Sequence, residues 1–265
     1  MELNSLSAAA ILDGLGTQRV GRKVVYWPEI GSTNDEARRL AGEGVPEGTL
    51  VITDYQSRGR GRLVRSWVAP RGSSLLMSII FRPELAAHQV QRLTMSCGLA
   101  VAGTIESQTG LRADLKWPND VVIGGAKVGG ILTEIGLEGA WVEFVVVGIG
   151  LNVNLDPALL PADLPMPATS LCHELGTDLA RLPLLWTLLQ KIEERYSALK
   201  AGKSPHMEWA GRLATLGKPV TVSGTGSVLN GTAEGVDADG ALLVRLADGC
   251  LERVLAGDVS TRGLG

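Results

Sequence analysis

The chain has 265 residues, 45% hydrophobic, 4% aromatic and 20% charged, which allows one large domain, or one domain with a small appendage, around a sizeable core. With 25 Lys+Arg against 28 Asp+Glu the net charge is −3, which argues against bulk electrostatic binding to nucleic acid or to an anionic membrane. There is no apolar run of the roughly 18 residues a membrane helix needs. The N-terminal "MELNSLSAAAILDGLG" lacks the basic region and cleavage pattern of a signal peptide. Cys97, Cys172 and Cys250 are widely separated, as are His88, His173 and His206, so neither a disulfide framework nor a Cys/His metal site is suggested. Free thiols in a reducing cytoplasm are expected. The chemistry must then rest on Arg, Lys, Asn and Asp.

In chain order, residues 1–20 allow one short helix, and "KVVYWPEI" (23–30) reads as a strand broken by Pro28. "STNDEARRLA" (32–41) reads as a helix opened by a capping box, Thr33 with Glu36 three residues on, with Asp35 and Glu36 suiting the dipole. "GTLVITDYQ" (48–56) and "SSLLMSIIFRP" (73–83) read as strands. Val90, Leu93, Cys97, Val101 and Ile105 recur at spacings of three and four, which predicts a helix between Pro83 and Gly110 with one buried face. "LRADLKWP" (111–118) is a strand stopped by proline, "VVIGGAKVGGILTEI" (121–135) a hairpin turning at Gly124–Gly125, and "WVEFVVVGIGLNVN" (141–154) a further strand. Residues 155–170 are proline-rich loop. Pro183 opens a helix carrying Leu185, Leu188, Leu189, Ile192, Tyr196 and Leu199 and ending at Gly202, and a shorter helix follows around 206–216. After Gly217 the texture turns to short strands and Asp-Gly turns (Asp239–Gly240, Asp248–Gly249), which predicts a small β-barrel or sandwich. The fold class is α+β, a mixed sheet with helices over 1–216 plus a β module over 217–265.

Four stretches carry chemistry. "QSRGRGRLVRSW" (56–67) sets four arginines on glycine, so that backbone N–H groups and guanidinium forks can converge on one anion. Trp67 adds a flat face. An RNA-binding segment of this kind would recur and be flanked by disorder, whereas this one stands once between two strands; a solvated loop is the plain alternative. "LKWPND" (115–120) places Lys116, Asn119 and Asp120 at a strand end beside the stiff Trp117–Pro118 pair. That set suits a nucleotide's phosphate, ribose or Mg²⁺, and equally an ordinary Asn-Asp turn. Lys127, between Gly124–Gly125 and Gly129–Gly130, is placed to meet a substrate carboxylate, or is a surface lysine. "GIGLNVN" (148–154) alternates Gly148, Gly150 and Asn152, as a strand does where a ligand or another strand presses close.

Read together and in order, "GSTNDEA" (31–37), "YQSRGRGRLVRSW" (55–67), "KWPND" with "KVGGIL" (116–132) and "GIGLNVN" (148–154) resemble biotin protein ligases. The likeness runs from about Leu6 to Ser260. It implies a biotin/lipoyl ligase-like catalytic domain with a small SH3-like β-barrel at the C-terminus. It also implies activation of biotin by ATP and Mg²⁺ to biotinyl-5′-AMP, and transfer to a lysine of a biotin carboxyl carrier protein. By the same resemblance, biotin is met by Ser32, Thr33, Asn34, Gln56, Arg60, Gly61, Arg62, Lys127, Gly129 and Gly130. The nucleotide falls to Arg65, Trp67, Lys116, Asn119, Asp120 and Asn152, with Asp120 toward the metal, and Lys127, Arg62 and Arg65 promote the reaction.

The sequence departs from the family pattern at Arg58, where a small residue is usual, and at Val64, where glycine is frequent; both bear on how tightly the adenylate is held. Only some 20 residues precede "KVVYWPEI", so the winged-helix repressor domain of some relatives is not expected, nor is DNA binding. A homodimer is possible on the family pattern. A lipoate or octanoate ligase, or a non-catalytic biotin sensor, are the rival readings; the complete set of Lys116, Lys127, Arg62 and Arg65 speaks against the sensor.

Overall fold

The structure, a computed structural model, describes residues 5–63, 65–161, 164–223 and 228–261. Val64 therefore lies outside the described residues. The first half runs α1 (Ala8–Asp13), β1 (Val24–Trp27), α2 (Thr33–Gly42), β2 (Leu50–Thr53), β3 (Ser74–Phe81), α3 (Gln91–Thr109), β4 (Asp114–Lys116), β5 (Asp120–Ile123), β6 (Ala126–Glu138) and β7 (Trp141–Asn152). The second half runs α4 (Leu171–Leu175), α5 (Arg181–Lys200), α6 (His206–Ala210), β8 (Pro219–Ser223), β9 (Leu229–Val236), β10 (Leu242–Arg245), β11 (Leu251–Val254) and β12 (Asp258–Thr261). A seven-stranded sheet in the order β1-β2-β3-β7-β6-β5-β4 is parallel between β1 and β2 and antiparallel elsewhere.

The period of two along the strands divides this sheet between two cores. Leu50, Ile52, Ile79, Phe81, Val145 and Val147 face α3 and α5, while Val51, Ile80, Phe144 and Val146 pack with Ala37 and Ala41 of α2. Because both faces are covered, β3 is buried at every position, which is why its sequence reads as an unbroken apolar run. On the α2 side the apolar pattern stops at Ser78, Gly148 and Gly150, and the site lies there.

Three expectations need correction. The capping box does not form: Ser32 is the N-cap, the Thr33 N–H and hydroxyl both go to Gln56 Oε1, and Glu36 pairs with Arg39. Helix α5 begins at Arg181 rather than at Pro183, which sits in the first turn where its missing N–H costs nothing. The terminal module is not a closed barrel. It is an open antiparallel sheet, β11-β10-β9-β8-β12, with β11 and β12 as separate edges. Closure needs strands staggered and tilted enough to meet. Here both edge strands are four residues long, β11 is largely exposed, and β12 begins at Asp258, whose carboxylate is taken by Arg65 of the arginine stretch.

Candidate active site

A cleft of about 950 Å³ opens on the α2 side of the large sheet and is closed at one end by the terminal sheet. Its floor is a patch without side chains. Gly150 of β7 pairs with Gly130 of β6, and the Trp67 indole lies across both. A Cβ on Gly150 would stand 2.5 Å from the Trp67 ring, one on Gly130 3.0 Å, and one on Gly148 2.0 Å from Asn34 Oδ1. The alternating glycines thus answer to two side chains laid flat on the sheet.

The two arms of the arginine stretch, on either side of its tip, pair back on each other as a hairpin, with an antiparallel bridge between Arg60 and Ser66. The Trp67 N–H donates to Gly59 O at 2.9 Å and the Gly61 N–H to Arg65 O at 2.7 Å, and Leu63 takes a left-handed φ of 51° at its turn. The four arginines diverge. Arg58 packs over Gly31 outside the cleft. Arg60 is taken up by Asp35 and Glu134. Arg62 reaches Asn119 Oδ1 at 3.4 Å and Gly257 O at 3.3 Å, and burial lowers its guanidinium pKa. Arg65 pairs with Asp258.

The head of the cleft is a polar chain at the start of α2. Gln56 Oε1 accepts from the Thr33 N–H at 2.7 Å and its hydroxyl at 3.1 Å, which leaves the Gln56 amide nitrogen as a donor. Ser32, Thr33 and Asn34 are all buried. Opposite, Lys127 Nζ stands 2.6 Å from Asp120 Oδ1 and 5.4 Å over the Trp67 ring. Its backbone is clamped by the proline-rich loop, its N–H donating to Pro167 O and its carbonyl accepting from Thr169. Lys116 sits beside Met166 Sδ at 3.7 Å, and burial lowers its ammonium pKa. Asn119 is fixed by its side-chain bond to Ile131 O at 2.6 Å. Asn152 Nδ2 donates to Thr169 O at 3.0 Å, while its buried Oδ1 and the buried Trp67 Nε1 have no protein partner. The Trp117–Pro118 bond is cis, and the Trp117 indole N–H reaches Gly240 O at 2.9 Å, bracing the turn against the terminal sheet.

The sequence-predicted residues thus line one cleft: Ser32, Thr33, Asn34, Gln56, Arg60, Gly61, Arg62, Arg65, Trp67, Lys116, Asn119, Asp120, Lys127, Gly130 and Asn152. Gly129 is not among its walls; it is buried where a Cβ would meet Gly150 O at 3.1 Å. Lys218, just ahead of β8, and Asp258 of β12 add to the walls, and sequence reasoning missed both. Among the described residues no cluster of three metal-ligating His, Cys, Asp or Glu side chains occurs.

The model of the biotin/lipoate A/B protein ligase family matches residues 27–152, and that of the biotin protein ligase C-terminal domain matches residues 215–262. Over 256 residues the chain is 35% identical to the bifunctional ligase/repressor BirA of Bacillus subtilis, covering 96% of this chain and 78% of that protein. This chain belongs to the biotin protein ligases of the biotin/lipoate A/B protein ligase family. A biotin–[acetyl-CoA-carboxylase] ligase of Paracoccus denitrificans is 34% identical over 221 residues, 81% of this chain and 90% of its own. The biotin protein ligase of Aquifex aeolicus, solved in complex with biotin and ATP, superposes with a TM-score of 0.77 at 31% identity, covering 91% of this chain and 99% of its own. No helix of the described residues is long and apolar enough to cross a membrane.

Proposed function

We propose that the cleft binds biotin and ATP, joins them as biotinyl-5′-AMP and passes the biotinyl group to a lysine of a biotin carboxyl carrier protein. The observation that carries this reading is the convergence of Lys116, Lys127, Arg62 and Arg65 on one cleft floored by Gly130 and Gly150. Joining a carboxylate to the α-phosphate of ATP brings two anions together, and fixed, partly desolvated cations lower that barrier without having to reorganise.

In this reading the Gln56–Thr33 end takes the polar head of the acid, with Ser32 and Asn34 beside it. Lys127 holds the carboxylate, its ammonium released from Asp120 as the substrate enters. A carboxylate oxygen attacks the α-phosphorus and the bond to the β-phosphate oxygen breaks, so pyrophosphate leaves. The acceptor lysine, having lost one proton to solvent, attacks the acyl carbon as the neutral amine. Its nitrogen gives up a second proton to solvent, the bond from the acyl carbon to the phosphate oxygen breaks, and AMP departs. Arg62 and Arg65 face the phosphates, Lys116 and Asn119 the nucleotide side, and the unpartnered Asn152 Oδ1 and Trp67 N–H await complementary groups of the nucleotide.

The donor set fits Mg²⁺ in the form that ion prefers, one carboxylate completed by phosphate oxygens and water. Asp120 would hold it, and the ion would neutralise phosphate charge. The terminal part, the smaller of the two domains at 217–265, completes the nucleotide end through Lys218 and Asp258.

The test is acid-dependent exchange of labelled pyrophosphate into ATP, with biotin, lipoate and octanoate offered separately. Exchange with biotin alone is expected, and Lys127→Ala should lower it by about a hundredfold, the scale set by removal of one transition-state electrostatic contact. Exchange with lipoate or octanoate in place of biotin would move the substrate assignment.

A further inference from the structure

Glu134 reaches from β6 into a position where every facing group is a donor. Its Oε2 accepts from Asn34 Nδ2 at 2.8 Å, and its Oε1 accepts from Arg60 at 2.7 Å and from Arg38 at 3.1 Å. The carboxylate is only 14% exposed. Burial alone would raise its pKa; the Asn34 amide and the Arg60 charge overcome that and hold it below the usual carboxylate range.

The two sides of this carboxylate lead to different parts of the cleft. On one side, fixing Asn34 Nδ2 turns Asn34 Oδ1 to the buried Ser78 hydroxyl at 2.6 Å. Ser78 lies 2.8 Å from the Thr33 hydroxyl, which bonds Gln56. On the other side, Arg60 belongs to the arginine hairpin, and its remaining partner, Asp35, is half exposed. Arg60 therefore spends its guanidinium on two carboxylates of other elements. Glu134 is the sheltered one of the pair.

We propose that Glu134 is a positioning residue for the acid subsite, one carboxylate that ties the arginine hairpin at Arg60 to the Asn34–Ser78–Thr33–Gln56 floor and so sets both walls together. The proposal rests on the acid-activating function above. Charge is required as well as length. An ionised carboxylate offers lone pairs to all three donors, whereas a glutamine amide has one oxygen and turns an NH₂ group toward a donor whichever way it is flipped. Aspartate keeps the charge but is one methylene short of spanning Asn34 and Arg60.

The experiment compares Glu134→Gln, Glu134→Asp, Arg60→Ala and the double variant Arg60→Ala/Glu134→Gln in pyrophosphate exchange and in backbone hydrogen exchange. For Glu134→Gln, KM for biotin should rise about tenfold, the scale of one charge-assisted hydrogen bond, with KM for ATP within about twofold. The Gly61 and Trp67 N–H groups, which close the hairpin, should exchange faster, while the Leu50 and Ile80 N–H groups of the sheet stay protected. Glu134→Asp should recover part of the biotin KM, and the double variant should be no worse than the poorer single one. An unchanged biotin KM and unchanged hairpin exchange in Glu134→Gln would overturn the proposal. So would faster exchange throughout the sheet, which would make Glu134 a contributor to stability alone. If the unaltered protein shows no biotin-dependent exchange, the acid-activating reading fails, and hairpin protection still decides the role of Glu134.

Discussion

A methyl group on Gly150 would press into the Trp67 indole, and one on Gly148 into the Asn34 amide, with no backbone strain to complicate either change. Gly150→Ala should therefore lift the indole off the floor and disturb Lys127, which stands above it. KM for ATP should rise several-fold more than KM for biotin, with a stability loss of about 1–3 kcal/mol, the usual scale of overpacking; calorimetry and steady-state exchange would check both. Part of this was legible in the sequence. On residue type and spacing alone the arginine run, Lys116, Asn119, Asp120 and Lys127 each left a plain alternative open, and only the ordered set of four motifs, read as a resemblance, grouped them as one expected site. The cause of the glycines was not legible. Spacing shows that something presses on the strand, but the pairing of β6 with β7 and the lie of Trp67 are needed to say what. Glu134 did leave a trace as the single acid in the apolar "ILTEI", a signal that gains meaning only once Arg60 and Asn34 stand around it.

At the scale of elements, apolar runs and period-three-and-four patterns marked most strands and the two long helices, because burial writes directly into composition. Strand β12 went unread. "DVST" carries one buried apolar residue, Val259, and its pairing with β8 joins distant parts of the chain. Barrel closure is likewise a property of edges meeting in space, which no local pattern records. One helix also acts as an anchor. Glu193 on α5 accepts the N–H groups of Gln18, Arg19 and Val20 at 2.6–2.7 Å, pinning the segment that leads into β1. Burial would raise its pKa, but the three N–H groups override that and hold it below its ordinary 4.5. With the folded value below the unfolded one, the stabilisation is complete above the unfolded value and is lost as pH falls through the folded one. Glu193→Gln should accordingly lower the melting temperature at pH 7, by the equivalent of no more than about 1 kcal/mol, since solvent screens this partly exposed carboxylate. The gap to the unaltered protein should narrow steadily below about pH 4.5. Melting curves across that range would test it.

For the molecule as a whole, the sequence suggests a catalytic part and an appended module, yet their cores are continuous. Val220, Val222, Ala233, Leu242, Val244 and Val259 belong to the same apolar cluster as α3 and α5. Arg92 pairs with Asp239 at 3.0 Å, and Trp117 is bonded to Gly240, across the same junction. Thermal unfolding should accordingly proceed in one transition, with circular dichroism and tryptophan emission coinciding. Two resolved steps would show that the terminal sheet melts by itself. This continuity also carries the terminal sheet's grip on Arg62 and Arg65 back to the helices behind the active cleft.

The indole on the glycine floor has a further consequence, which is optical. Trp117 and Trp186 have their ring N–H groups bonded to backbone carbonyls, and Trp27 and Trp141 face solvent. Trp67 instead lies against the cleft with its N–H unpartnered and an ammonium 5.4 Å above the ring, an arrangement that tunes both the colour and the brightness of its emission. Any molecule that draws Lys127 away or stacks on that ring will alter the light it gives off, so the cleft carries its own gauge of occupancy.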